Sequence, residues 1–195
     1  LPMLQLLDQE VYQTTLRPEK YKRPPIRALI LTPTRELAIQ IGESINDYWK
    51  NTTLTNTVIF GGVSQVEQVK KLRKWVDILV ATPGRLLDLI NQKFIRLSDI
   101  QIFVLDEADR MLDMWFIHDI KKIIWLFPRT NRQSLFFSAT VPPKVIELSQ
   151  KLLNDPIHIS VTPVSSTVDT VTQSLYTLRP ENKKLLLLHL LENPE

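Results

Sequence analysis

The chain has 195 residues, 44% of them hydrophobic and 23% charged, with a formal net charge of +3 at pH 7. That length supports one sizeable core of roughly 100–200 residues plus an appendage, and the composition excludes a disordered or fibrous protein. The absence of cysteine excludes a disulfide framework, cysteine-ligated zinc and a thiol nucleophile and suits a reducing, cytoplasmic setting, while a pI near 9.1 permits an anionic partner without requiring one.

In chain order, Leu4–Gln13 has the spacing of a helix, and Arg17–Pro25, rich in proline and basic residues, reads as a surface loop before the first strand. Strands are expected at Ile26–Leu31, Thr57–Phe60, Asp77–Ala81, Gln101–Leu105, Ser134–Ser138 and Ile157–Val161, each a short apolar run rich in β-branched residues. Helical spacing falls between them, at Arg35–Lys50, Gln65–Trp75, Leu86–Asn91, His118–Phe127 and Pro143–Leu153. Strand and helix in alternation imply right-handed crossovers and a mostly parallel sheet. The unbroken apolar runs Ala28–Leu31 and Ile102–Leu105 imply that helices cover both of its faces. The fold class is therefore α/β. A first domain is expected over 1–161 and a linker over 162–170, within the Ser-, Thr- and Val-rich stretch Thr162–Thr172. A second unit would begin at 171 with a strand, Val171–Leu178, and a helix, Glu181–Leu191. The most apolar stretch, Leu185–Leu191, is far shorter than the about 20 residues of a membrane span, so no membrane partner is expected. His118, His158 and His189 lack the spacing of metal ligands.

In an open parallel sheet, ligands collect beyond the carboxyl ends of the strands, so the residues that follow each strand carry the functional reading. After Ile102–Leu105 comes Asp106-Glu107-Ala108-Asp109. An aspartate there can hold magnesium and a neighbouring glutamate can orient or deprotonate a water, although acidic side chains equally suit the positive end of a helix dipole. The first strand is followed by Thr32-Pro33-Thr34-Arg35-Glu36-Leu37-Ala38, Phe60 by Gly61-Gly62, Ala81 by Thr82-Pro83-Gly84-Arg85, and Phe137 by Ser138-Ala139-Thr140. Thr82 before Pro83 is a helix N-cap with proline at the first helical position, which leaves backbone N–H groups free for a phosphate. Thr34 and Arg35 repeat that arrangement, and Gly61-Gly62 leaves room for a nucleic-acid backbone. Capping and turn formation account for the same residues structurally. The basic clusters Lys70-Lys71-Arg73-Lys74 and Lys121-Lys122 read as solvated helix faces, and Trp49, Trp75, Trp115 and Trp125 as packing groups.

Taken together and in this order, the strings PTRELA, GG, TPGR, DEAD and SAT resemble the first RecA-like domain of the DEAD-box ATP-dependent RNA helicases, over nearly the whole chain. Around Asp106–Asp113 and Thr162–Gln173 the sequence looks most like the bacterial RhlE-type branch. The resemblance implies a three-layer RecA-like fold of the P-loop NTPase type, with ATP and Mg2+ as cofactors. It implies RNA as the partner, held by its sugar-phosphate backbone without sequence preference. It further implies that Asp106 coordinates Mg2+ through water and Glu107 activates the attacking water. Asp109 is similar to a position that hydrogen-bonds Ser138 and Thr140, linking hydrolysis to movement against a second RecA-like domain of the same protein. Pro33, Thr34, Arg35, Gly61, Gly62, Thr82, Pro83, Gly84 and Arg85 match the family's RNA contacts, with the two arginines as cations.

Two features depart from the family. Its phosphate loop ends in Gly-Lys-Thr/Ser, and no Gly-Lys dipeptide occurs here. Leu1-Pro2-Met3 resembles the inside of the helix that follows that loop, which places the loop upstream and implies that residues 1–195 alone do not hydrolyse ATP. A non-catalytic RNA-binding module without the loop is the alternative. Trp115 stands where the family usually has glycine and would resist a left-handed helix end.

Overall fold

Apolar tetrapeptides separated by amphipathic segments fold, in the computed structural model, into a parallel sheet with helices on both faces. The model describes residues 1–13, 25–50, 53–113, 116–128, 132–161 and 174–192. After α1 (Pro2–Gln13) come β1 (Ala28–Leu31), α2 (Arg35–Tyr48), β2 (Asn56–Ile59), α3 (Val66–Leu72), β3 (Ile78–Ala81) and α4 (Pro83–Asn91). They are followed by β4 (Ile102–Leu105), α5 (Ala108–Asp113), α6 (Ile117–Ile124), β5 (Gln133–Phe136) and α7 (Pro143–Leu152). The five strands stand in the order β2-β3-β1-β4-β5, and every pairing is parallel.

Register decides the geometry of the functional edge. Leu31 lies opposite Ala81 and Leu105, Ala81 opposite Ile59, and Leu105 opposite Phe136, so all five strands end level. The ladder runs one residue further through Thr32 N–H to Ala81, Thr82 N–H to Ile59, Asp106 N–H to Leu31 and Phe137 N–H to Leu105. The segments after each strand therefore emerge side by side. Alternation along β1 divides the core: Leu29 and Leu31 join a cluster with Leu86, Leu89, Ile120 and Ile123 from α4 and α6, while Ala28 and Ile30 pack with Leu4, Leu7, Ala38 and Ile45 from α1 and α2. Gly42 lets α2 lie close on β2, because a Cβ there would run into Val58 Cγ2.

A buried ion pair closes the opposite end of the sheet. Arg27 donates from Nε (3.2 Å) and Nη2 (2.9 Å) to Asp77 Oδ1 and from Nη1 to the Leu7 carbonyl (3.0 Å). Asp77 Oδ2 accepts from the Thr55 N–H (2.9 Å) and hydroxyl (3.0 Å). One carboxylate, only 4% exposed, thus ties the starts of β1, β2 and β3 to α1.

The expected strands are present to within two residues with two exceptions. Ile157–Val161 forms no strand: Ile157, Ile159 and Val161 are 90%, 88% and 87% exposed. β-Branched composition is only a preference for a pleated, half-buried surface, and among the described residues no strand pairs with this segment. The same holds for the described part of the strand expected at Val171–Leu178, where 174–178 is irregular and Leu175 is 95% exposed. The helix expected at Glu181–Leu191 appears as a 3-10 turn, Pro180–Asn182, leading into α8 (Lys183–Glu192). Leu1–Pro156 and Ile157–Glu195 form two compact units. The linker at 162–170, most of the basic loop and Trp115 lie outside the described residues.

Asp77→Ala should cost about 3–5 kcal/mol of folding stability, because it strands the largely buried Arg27 guanidinium and the Thr55 donors. Urea unfolding checks this, and a loss below about 1 kcal/mol would show that the pair is dispensable.

Candidate functional site

Three strand-to-helix junctions build one side of the edge. Thr34 caps α2 from an extended backbone (φ −122°, ψ 155°), its Oγ1 accepting from the Leu37 N–H at 3.3 Å. Thr82 occupies the same place before α4 (φ −88°, ψ 144°) with Pro83 in the first turn, but its hydroxyl caps nothing. The first N–H groups of α4 therefore lack a side-chain acceptor of their own, in the way that suits a phosphate oxygen. Between them, Gly62 adopts φ +78°, and a Cβ there would lie 2.6 Å from Arg35 Nη1, so glycine is what lets the Arg35 guanidinium settle on the turn. Gly61 and Gly84 face open space.

These junctions enclose a cavity of about 460 Å³ lined by Pro33, Arg35, Gly61, Gly62, Thr82, Gly84 and Arg85. Thr34 and Pro83 are their chain neighbours, so the expected nucleic-acid contacts are gathered in one place. Arg85 is held differently from Arg35. Its side chain is 12% exposed, Nη2 donates to the Val63 carbonyl at 2.9 Å, and Nη1 is buried without a hydrogen-bond partner. Asp88 and Phe116 also line the cavity and were not expected from the sequence. Asp88 had a signal, the i,i+3 spacing from Arg85 on a helix. Phe116 had none, because only the turn before α6 brings it here.

The other side carries the carboxylates. Asp106, directly after β4, accepts the Glu107 N–H on Oδ1 at 2.9 Å. Burial pushes its carboxyl above the ordinary value; the Glu107 N–H opposes this, and the Glu107 charge reinforces it. No ion pair neutralises Asp106 among the described residues. Glu107 stands at φ +50°, an uncommon and strained conformation for a residue with a Cβ, and its Oε2 lies 3.2 Å from Arg110 Nη1. The short helix that was the structural reading of this motif is present as α5.

Asp109 knits this motif to the segment after β5. Its Oδ2 accepts from the Thr140 N–H (2.8 Å) and hydroxyl (2.7 Å), and its Oδ1 accepts from the Arg110 N–H (3.0 Å). Its own N–H donates to Ser138 Oγ (3.2 Å), whose hydroxyl donates to the Thr140 carbonyl (2.7 Å). The Ala108 N–H to Phe137 carbonyl bond (3.0 Å) completes the seam. Partial burial pushes the Asp109 carboxyl up, but the bonds from Thr140, Arg110 and Ser138 together outweigh it and leave it below the ordinary value.

No group of three His, Asp or Glu side chains is placed to hold a metal directly, among the described residues. Asp106 nonetheless fits Mg2+ held through water, which needs one or two carboxylates and keeps most of its hydration, and a cation would offset the burial that opposes its charge. The chain supplies no Gly-Lys loop for a triphosphate, so these residues fit the metal end of a nucleotide site and not the whole of it.

Level strand ends carrying helix starts, a glycine turn and paired carboxylates define a three-layer α/β domain with its ligand edge at the carboxyl ends of a parallel sheet. Residues 1–148 match the family model of the DEAD/DEAH box helicases, and the chain belongs to that family. It is 45% identical over 140 residues to the ATP-dependent RNA helicase DBP3 of Lodderomyces elongisporus, covering 72% of this chain and 26% of that one. It is 42% identical over 180 residues to the ATP-dependent RNA helicase RhlB of Shewanella denitrificans (92% and 42%), and 46% identical over 151 residues to the RNA helicase CrhR of Synechocystis (77% and 30%). The chain thus spans less than half the length of these curated relatives. The crystal structure of a DEAD box protein from the hyperthermophile Methanococcus jannaschii shares the fold, with a TM-score of 0.63 and 43% identity over 67% of this chain and 36% of that one.

Gly62→Ala should destabilise the domain by about 1–2 kcal/mol, since it forces a Cβ into left-handed backbone and against Arg35, while Gly61→Ala should be near neutral. Paired thermal melts check this, and equal losses would refute the assignment.

A group whose native pKa is depressed stabilises the fold above its ordinary pKa and loses that contribution as pH falls through the native value. Removing the Thr140 hydroxyl in Thr140→Ala should therefore move Asp109 upward and shift its part of the acid unfolding to higher pH. Carboxyl NMR titration reads this directly; an unmoved Asp109 would show that the seam is not set by that hydroxyl.

Proposed function

We propose that the polypeptide carrying these residues is an ATP-dependent RNA helicase, and that this chain supplies part of its ATPase site and part of its RNA site. The observation that carries the reading is the Asp109–Ser138–Thr140 seam: it joins the acidic motif to the neighbouring strand end on the same edge as the basic, N–H-rich cavity. The acidic motif follows β4, which pairs with β1, and the segment after β1 lines the cavity, so the two halves adjoin along one edge.

In this reading Asp106 holds Mg2+ through water, and the metal, when bound, offsets charge on the phosphates of ATP. Glu107 takes the proton from the attacking water; the left-handed backbone sets where its carboxylate points, and Arg110 restrains it at rest. Asp109, Ser138 and Thr140 couple hydrolysis to movement against a second RecA-like domain, of which residues 171–195 are the first part. Pro33, Thr34, Arg35, Gly61, Gly62, Thr82, Pro83 and Gly84, with Arg85 behind them, receive the sugar-phosphate backbone. Nothing in the cavity offers a set of amides or stacked aromatics for base edges, which supports binding without sequence preference. Cytoplasmic localisation is part of the same reading.

In the full-length protein, Glu107→Gln should leave ATP binding nearly intact and slow RNA-stimulated hydrolysis by at least about 100-fold. Single-turnover hydrolysis alongside nucleotide-binding titration checks this. Unchanged turnover would remove Glu107 from the mechanism, and RNA binding with no hydrolysis even in the parent would favour the non-catalytic RNA-binding module.

A further inference from the structure

We infer that Asp88 is a positioning residue for the nucleic-acid cavity: it fixes Arg85 as an internal brace under the Gly61-Gly62 turn, so that Arg85 shapes the cavity without pairing with a phosphate. This deepens the RNA-binding reading above and rests on it.

Arg85 is engaged inside the protein through one hydrogen bond and one ion pair. Nη2 donates to the Val63 carbonyl (2.9 Å), Nε faces Asp88 Oδ2 (3.8 Å) and Nη1 is buried, so the guanidinium sits between the start of α4 and the turn after β2. A planar guanidinium suits two partners in fixed directions, which a lysine ammonium cannot reproduce. Asp88 is itself held. Its Oδ1 accepts from Gln92 Nε2 at 2.8 Å, and Gln92 and Gln65 exchange two amide hydrogen bonds of 3.1 Å each. Gln65 is the residue before α3 and Gln92 the residue after α4, so the chain Gln65–Gln92–Asp88–Arg85–Val63 clamps both ends of the segment 63–65 to one helix. Arg35 contrasts with this. It rests on Gly62 in the cavity, and among the described residues no hydrogen bond or ion pair engages its guanidinium. Of the two arginines, Arg35 is the cation available to phosphate.

Charge makes the inference sharp. Removing an acidic group beside a phosphate site should, on electrostatics alone, tighten RNA binding. A brace makes the opposite demand. In the full-length protein with an ATP analogue present, Asp88→Ala should weaken binding of single-stranded RNA about tenfold. Asp88→Asn, which keeps an acceptor at the same place, should bind within about threefold of the parent. Arg85→Ala should weaken binding by about the same factor as Asp88→Ala, and the double variant no further. Across a salt series, Arg35→Ala should reduce the slope of log affinity against log salt by about 0.7, the value for one phosphate contact on a single strand, and Arg85→Ala should leave it unchanged. A slope loss for Arg85→Ala equal to that for Arg35→Ala would overturn the brace and make Arg85 a phosphate contact. Tighter binding by Asp88→Ala would overturn the positioning role.

Amide hydrogen exchange of residues 60–66, measured without RNA, separates this inference from the reading beneath it. Both Asp88→Ala and Arg85→Ala should speed exchange there by about tenfold or more, with parent-like exchange in β1 and β3. If the parent binds no RNA, the RNA reading fails and the exchange result still decides the brace: unchanged exchange in both variants overturns it.

Discussion

Everything functional in this domain depends on the level register of its parallel sheet. Parallel strands joined by crossovers all run the same way, so their carboxyl ends share one edge. Here the residue pairing leaves no stagger between Ile59, Ala81, Leu31, Leu105 and Phe136. A slip of one residue in any strand would exchange the side chains it presents to the two faces of the sheet and move its loop by about 3.3 Å, more than a hydrogen bond tolerates. The 2.7 Å bond from Thr140 to Asp109 exists because β4 and β5 end together.

The two ends of the sheet solve opposite problems. At the start of the strands, the Arg27–Asp77 pair is bonded to Thr55 and Leu7 at nearly every polar atom, as a charge in a dry place must be. At the finish, polar groups are left with spare capacity: among the described residues, Thr82 caps nothing, Arg35 pairs with no acid and Asp106 with no cation. Backbone strain is also placed there, at Glu107. A fold gains nothing from such groups, whereas a ligand can satisfy them.

Asp106 and Asp109 show how one short acidic segment yields two different carboxylates. Asp106 follows a buried strand and meets one N–H, so desolvation dominates and raises its carboxyl above the ordinary value. Asp109 lies on the first turn of α5 and its carboxylate receives donors from Thr140 and Arg110, which help to hold it below the ordinary value. The two carboxylates differ accordingly, one left without a cationic partner among the described residues and the other bonded to the neighbouring loop.

The sequence by itself determined the α/β class, five of the strands and the grouping of TPGR, GG and PTRELA with DEAD and SAT, because these depend on local patterns: apolar runs, helix caps, glycine. It did not determine Ile157–Val161, whose β-branched residues meet no partner strand, since strand formation is settled between segments and not within one. Nor did it separate Arg35 from Arg85. Both are arginines in the first turn of a helix that follows a strand end, and only the tertiary structure sets one on Gly62 in the cavity and turns the other onto Val63 beside Asp88. Residue type fixes which chemistry a side chain has available, while the packing of α4 against the turn after β2 decides whether that chemistry is spent inside the protein or left for a ligand.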